Sequence, residues 1–313
     1  MQNISRRPFS TTIKGVYTLT RFLPTISWGI SASIIGLAFA LPGTDLSRVN
    51  WVDYLLVLAN VILFHGVASH AINDLEDWQS GTDRMSPGIY SGGSKVIRNN
   101  LLSREQLIKT ALISLTLGHV ITAYLTLMHG LIILAFLMIA LWSSIAYTQP
   151  PLRLSYKPLL GEWLAGFPAI VAVTYLSFYI LKGNLTLAVV LAGITHGILS
   201  IGLLMFHHIA DFSSDLLASP PKITTVAYVA RKYGAKRCGL VAAFYFALII
   251  PIGLISALYY PILLISVLFA VPCIILSMRV SPASIPDITV KETYIFALVI
   301  SHALAYLLVL ASL

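Results

Sequence analysis

Long apolar runs alternate along the chain with short polar stretches. Nine runs can be drawn: Leu23–Leu41, Val52–Ile72, Leu107–Met128, Leu131–Tyr147, Trp163–Leu181, Leu185–Ile209, Gly239–Leu258, Tyr260–Met278 and Tyr294–Leu313. Each approaches the roughly 20 residues that a helix needs to cross a bilayer. A helix satisfies its own backbone hydrogen bonds in lipid, so all nine are predicted as helices. Ala, Gly and Ser recur in the first, fifth and sixth runs, which suits close helix packing. The pattern therefore predicts an all-α, polytopic membrane protein with nine transmembrane helices. Residues 1–313 are read as a single domain.

Composition agrees with the pattern. The chain is 58% hydrophobic and only 10% charged, where a soluble domain carries about 25% charged residues. The net charge of +8 does not call for nucleic acid, because excess Lys and Arg in such a protein mark loops facing anionic lipid. Two cysteines, Cys238 and Cys273, lie in or beside apolar runs and read as ordinary small residues rather than a disulfide or zinc site.

The charge is one-sided. With the N-terminus in the cytoplasm, the inner segments are 1–22, 73–106 (taken with Lys109), 148–162, 210–238 and 279–293. They hold 18 of the 20 Lys and Arg residues, leaving Arg48 and Lys182 outside. This is a positive-inside distribution. The first 22 residues contain Arg6, Arg7, Lys14 and Arg21 and no acid, the make-up of a transit peptide or signal n-region, and Ala38-Phe39-Ala40 resembles a cleavage site. Leu23–Leu41 has the length of a true span, however, and its removal would spoil the sidedness. It is read as retained.

Two acidic clusters break the apolar pattern. Asn73-Asp74-Leu75-Glu76-Asp77 continues to Asp83, and Asp211-Phe212-Ser213-Ser214-Asp215 follows the sixth run; together they hold six of the twelve carboxylates. Both fall on the predicted cytoplasmic side. Charge near lipid is costly, so gathered carboxylates there point to a cation or a substrate. Asn73 and Asp77 are four apart, as are Asp211 and Asp215, which places each pair on one helix face. Such carboxylates repel without a cation. Hard oxygen ligands suit Mg²⁺, which keeps waters and is completed by phosphates. The plainer alternative is a pair of solvated helix ends capped by Asp and Asn. The matching ends His70-Ala71-Ile72-Asn73-Asp74 and His207-His208-Ile209-Ala210-Asp211 suggest a duplicated four-helix unit with a site between halves.

A diphosphate also needs cations. Arg84, Lys95 and Arg98 follow the first cluster, around Ser91-Gly92-Gly93-Ser94, whose backbone N–H groups could approach an anion. Lys222 follows the second, and Arg153 and Lys157 lie in a third inner loop after Pro150-Pro151, read as a short surface segment. Lys95, Arg98 and Lys222 adjoin the acids most closely. Tyr147 and Tyr156 suit interfacial anchoring, and Tyr147 could also face the site. His207-His208 before Asp211 do not supply the three close ligands of a catalytic zinc.

At these residues the chain resembles the UbiA superfamily of intramembrane prenyltransferases over nearly its whole length. The resemblance rests on Asn73-Asp74-x-x-Asp77 with a later aspartate, Tyr147-x-x-Pro150-Pro151-x-Arg153 with Gly161-Glu162, and Asp211-x-x-x-Asp215 followed by Lys222 and Thr224. It implies a helical bundle around a central cavity with a cytoplasmic cap. It further implies that Mg²⁺ on Asn73, Asp74, Asp77, Asp211 and Asp215 binds a prenyl diphosphate; Asp83 is added to the metal set, and the residues read above place Asn73, Arg84, Lys95, Arg98, Arg153, Lys222 and Tyr147 around the diphosphate. Asp74, Asp77, Asp211 and Asp215 would be the catalytic acids. The late Asp83 and the Ser91–Leu102 stretch are similar to the menaquinone-pathway branch, which prenylates dihydroxynaphthoate in quinone biosynthesis. The chain departs from the family pattern at Gly81, where many members have an aspartate. It departs again at Ser219-Pro220-Pro221-Lys222-Ile223-Thr224, one residue longer and without the usual glycine, and at His207-His208, where polar amides are usual. An acceptor-independent terpene cyclase on the same fold remains an alternative, as does a membrane carrier without chemistry. The expected partners are a prenyl diphosphate, an aromatic acceptor and the lipid bilayer.

Overall fold

A computed structural model describes residues 9–313 apart from 46 and 48, so Arg6, Arg7 and Arg48 of the sequence reading lie outside the described residues. Among the described residues the structure is helical, with no strand. A short helix α1 (Phe9–Leu19) precedes α2 (Phe22–Ala40), α3 (Trp51–Ser80), the single turn α4 (Thr82–Met85), α5 (Arg104–His129), α6 (Ile132–Ala146), α7 (Glu162–Lys182) and α8 (Leu187–His207). Then come α9 (Phe212–Leu217), α10 (Thr225–Tyr233), α11 (Ala235–Ala257), α12 (Pro261–Met278) and α13 (Ile285–Ala311).

Eight of these helices are long and apolar enough to cross a membrane. The fourth expected span, Leu131–Tyr147, is a helix of 15 residues, about 22 Å at 1.5 Å per residue against a hydrocarbon core of about 30 Å. Two other boundaries move. The second span does not stop at Ile72 but runs on to Ser80, so Asn73, Asp74 and Asp77 stand on its last turns rather than in a loop. Gly81, at φ 95°, stops it, as glycine commonly does at a helix C-terminus. The last span begins at Ile285 rather than Tyr294. Ser284 accepts from the Asp287 backbone N–H and Pro286 sits in the first turn, a capped start. Glu292, expected in an inner loop, is thereby buried on α13.

Small residues set the packing. A Cβ on Gly36 of α2 would stand 2.4 Å from the Thr174 carbonyl oxygen of α7, and one on Gly239 of α11 would stand 2.2 Å from that of Ser277 on α12. These helices meet backbone to backbone, as in membrane bundles generally. Ser33 and Ser177 share a hydrogen bond of 2.8 Å across the α2–α7 contact. The largest apolar cluster joins α8, α11, α12 and α13 through Phe206, Tyr245, Phe246 and Phe296. A second cluster, Leu19, Val67, Ala71, Val96, Leu102 and Leu107, fixes the segment after α4 onto α1, α3 and α5.

Candidate active site

The two acid-bearing helix ends meet under one loop. Asp74 on α3 accepts hydrogen bonds from the Ser94 backbone N–H (3.1 and 3.2 Å to its two oxygens) and from the Ser94 hydroxyl. Asp211, after α8, accepts from the Ser86 and Ser91 hydroxyls, the latter at 2.9 Å, and from the Gly92 N–H at 2.9 Å. Segment 86–94 thus clasps both clusters. The Ser-Gly-Gly-Ser stretch does present backbone N–H groups to an anion, but in this structure that anion is the protein's own carboxylates. Gly92 and Gly93 have φ of 73° and 67°, and a Cβ on Gly93 would stand 2.1 Å from Asp83 Oδ2 and 2.9 Å from Asp74 Oδ1. Only glycine permits that approach.

Asp77 lies deeper. Lys222 donates to its Oδ2 at 2.5 Å, Asn73 to the same oxygen at 3.1 Å, and the Tyr156 hydroxyl to Oδ1 at 3.0 Å. Asp215 is different: neither carboxylate oxygen has a hydrogen bond of ordinary geometry, with His208 Nδ1 3.9 Å from Oδ2 and the Thr224 hydroxyl close enough to favour the charged form. Its backbone is fixed all the same: its N–H bonds the Asp211 carbonyl, and its carbonyl takes the Lys222 N–H, both at 2.9 Å. Burial, with Asp77 and Asp74 alongside, pushes the Asp83 carboxyl well above its ordinary range. Burial does the same to Asp215, against the pull of Lys222. Burial alone would lower the Lys222 ammonium, but Asp77 and Asp215 hold it well above its usual value. The acids therefore form an over-negative, desolvated group with one buried cation, an arrangement that favours a further cation.

Below the acids opens a cavity. Asn73, Asp77, Asp83, Asp211, Asp215 and Lys222 line its polar end, together with Tyr147. Val57, Leu125, Ile133, Phe136, Ala172 and Leu176 line its apolar remainder. Asp74 borders instead a small recess with Trp78, Asp83, Lys95 and Arg98.

Not every expected cation reaches the cavity. Arg84 is exposed, with its guanidinium over the Trp78 ring at 5.0 Å from the centroid. Arg153 pairs with Glu76. Lys95 donates to the Gly88 carbonyl, and exposed Arg98 to that of Ser86 at 3.3 Å, so both pin the loop. The duplicated-unit expectation also changes at the atomic level: α3 continues straight through its acids, whereas the chain turns at His208–Asp211 before α9. Sequence reasoning missed Arg21, Trp28, His65 and His207 on the cavity wall, and Tyr156, which is buried on Asp77 instead of anchored at the membrane surface.

Among the described residues no three His, Cys, Asp or Glu side chains stand close enough to hold a metal ion by themselves. Mg²⁺ does not require this, because it keeps waters and borrows phosphate oxygens. The orphaned oxygens of Asp215 and the oxygen donor set fit such an ion.

Comparison with known proteins gives consistent results. Residues 29–286 match the UbiA prenyltransferase family. No curated protein matches the sequence. Among solved structures, a UbiA homolog from Archaeoglobus fulgidus bound to GPP and Mg²⁺ is similar with a TM-score of 0.65 at 17% identity, covering 94% of this chain and 99% of that one. A UbiA homolog from Aeropyrum pernix K1 gives 0.61 at 17% identity, covering 94% and 97%. A digeranylgeranylglyceryl phosphate synthase structure gives 0.58 at 16%, covering 96% and 99%. At these identities the likeness establishes the fold.

Proposed function

The chain belongs to the UbiA prenyltransferase family, and on that premise we propose that it moves an isoprenyl group from a prenyl diphosphate to an aromatic acceptor within the membrane, with Mg²⁺ at the acid-bearing end. One observation carries this reading: two aspartate clusters, 134 residues apart between Asp77 and Asp211, converge on the polar mouth of one apolar cavity. The Archaeoglobus fulgidus homolog, bound to GPP and Mg²⁺, supports the choice of ligands.

Asp77, Asp83 and Asp215 offer cavity-facing carboxylates, with Asn73, Asp74 and Asp211 completing the set that would hold Mg²⁺. When bound, Mg²⁺ supplies neutralisation of the charge that builds on the departing diphosphate. Lys222, buried and cationic, adds a fixed positive charge at the same place. The catalytic acids of this reading are Asp74, Asp77, Asp211 and Asp215, and the diphosphate set is Asn73, Tyr147 and Lys222, with Lys95 and Arg98 at the adjoining recess. Arg84 and Arg153 are left out because their guanidinium groups are engaged elsewhere. Segment 86–94 lies over the acid clusters through its bonds to Asp74 and Asp211. The apolar walls take the isoprenyl tail. The late Asp83 and the Ser91–Leu102 stretch favour a hydroxynaphthoate-type acceptor of quinone biosynthesis. The acid-bearing end is assigned to the cytoplasm on the Lys and Arg distribution.

The test is product analysis. Purified protein receives a panel of prenyl diphosphates with Mg²⁺, with and without hydroxynaphthoate, and diphosphate release and products are measured by mass spectrometry. A prenylated acceptor is expected. A hydrocarbon or terpene alcohol formed equally well without acceptor would show a cyclase instead. No Mg²⁺-dependent diphosphate release would remove both.

A further inference from the structure

Beside the acids, the cavity wall carries a second polar group that the metal site does not use. Arg21 sits at the α1–α2 junction in the left-handed region, at φ 43°, and lines the cavity. Its Nη2 donates to the Tyr90 carbonyl at 2.7 Å and to His207 Nε2 at 2.8 Å. A guanidinium can only donate, so His207 Nε2 is the accepting nitrogen and its proton resides on Nδ1. That Nδ1–H donates to Glu292 Oε1 at 2.5 Å. Glu292 is 1% exposed and His207 6%. Carboxylate, imidazole and cavity thus stand in line, with the imidazole tautomer fixed so that its lone pair lies on the side of Arg21.

A further observation points to a polar ligand here. Trp28, 8% exposed, packs edge-on against His207 (ring centroids 5.8 Å apart) and against His65 (6.0 Å). Both lie on the cavity wall, and the Trp28 indole Nε1 and His65 Nε2 are buried without a hydrogen-bond partner. Orphaned buried polar atoms are costly; a hydroxyl- and carbonyl-bearing ring seated against them would satisfy both.

We propose that His207, oriented by Glu292, is the group that takes the acceptor's proton. This deepens the prenyl-transfer reading and rests on it. In the step, the bond between the prenyl C1 and the diphosphate oxygen breaks and its electron pair leaves with the diphosphate. An electron pair of the acceptor forms the new bond to C1. The proton displaced from the acceptor, a ring bearing an ionisable hydroxyl, passes to His207 Nε2. Glu292 holds the resulting imidazolium as it held the neutral ring. Arg21 occupies the Nε2 lone pair, and the acceptor's hydroxyl takes its place. The charged and titratable groups around His207 are Arg21 from the α1–α2 junction, Glu292 from α13 and His208 beside it, with His65, His70 and Asp74 from α3 and Lys95 from the clasping segment all within the field of Arg21.

The experiment uses the full-length protein with Mg²⁺, a prenyl diphosphate and a hydroxynaphthoate. His207→Asn, His207→Gln and Glu292→Gln are compared with wild type for binding of a non-ionising prenyl thiolodiphosphate and for single-turnover transfer against pH. Both His207 variants are expected to bind the thiolodiphosphate as wild type does and to lose about 10²–10⁴-fold in transfer rate, the usual worth of a positioned base. With Mg²⁺ kept saturating at every pH, the part of the acidic limb that His207 contributes should be absent from them. In Glu292→Gln that limb should move to lower pH, because the carboxylate that favours the imidazolium is gone. Transfer near the wild-type rate with the limb intact in either His207 variant would overturn the assignment. So would loss of thiolodiphosphate binding in both, which would make His207 structural. Failure of wild type itself to bind any prenyl diphosphate would instead sink the underlying prenyl-transfer reading.

Discussion

Alanine at Gly93 tests whether the clasp over the acids matters to turnover. The residue stands at φ 67°, so a side chain there costs about 1–2 kcal/mol of backbone strain. Contact adds a second cost. The new Cβ would lie 2.1 Å from Asp83 Oδ2 and 2.8 Å from its Cγ, where ordinary contact begins at 3.4 Å. Asp83 must therefore retreat by about 1.3 Å, the difference between 3.4 and 2.1 Å, or the loop must lift off Asp74. Asp83 is only 5% exposed, so it cannot escape into solvent. Displacement of a site by about 1 Å costs on the order of 10²-fold in rate. Gly43 provides the control, since it has φ 65° but a Cβ there meets nothing within 4 Å. Gly43→Ala carries the same backbone strain without the collision. Initial rates of Mg²⁺-dependent diphosphate release should fall about 10²-fold in Gly93→Ala and stay near wild type in Gly43→Ala. Equal rates in the two variants would refute the reasoning.

Other consequences are equally direct. Asp215→Asn replaces a carboxyl whose charged form burial already disfavours with a neutral group of the same shape, so the Mg²⁺ requirement should rise while the melting temperature changes little. A fall in melting temperature with unchanged Mg²⁺ dependence would contradict this. Asp83 and Asp215 are held protonated to unusually high pH, and Mg²⁺ binds the ionised form. Its apparent affinity should therefore weaken as pH falls from neutral toward the ordinary carboxylate range, with protons released on binding, as metal titration calorimetry at two pH values would show. Gly36→Val should lower the melting temperature in detergent by forcing α2 off the Thr174 carbonyl, an overpacking cost of about 1–3 kcal/mol.

Apolar run length revealed the helices because lipid imposes it, yet two helix ends fall outside that logic. α3 protrudes past its apolar stretch to Ser80, and hydropathy is silent once a helix is no longer in lipid. The readable mark was Gly81 as a stop. Likewise Ser284-Ile285-Pro286-Asp287 is a capped start, visible to capping chemistry but not to a count of apolar residues. The aspartates were legible because charge at a membrane face demands a reason. Their partners were not. Tyr156 meets Asp77 across 79 positions, and His207 meets Glu292 across 85. Nothing local in either sequence announces such a pairing; only the packing of α8 on α13 creates the second. Arg84 and Arg153 show the converse, since nearness in sequence to the acids does not decide where a long flexible cation finds its partner.

The clasp of 86–94 on Asp74 and Asp211 makes two events inseparable. On the proposed reading the ion uses those same oxygens, so the serine hydroxyls and backbone amides of 86–94 compete with Mg²⁺ for Asp74 and Asp211. Whatever loosens the lid should thus tighten the hold on metal, and whatever tightens it should slow loading, so lid mobility and ion affinity cannot be tuned independently in this enzyme.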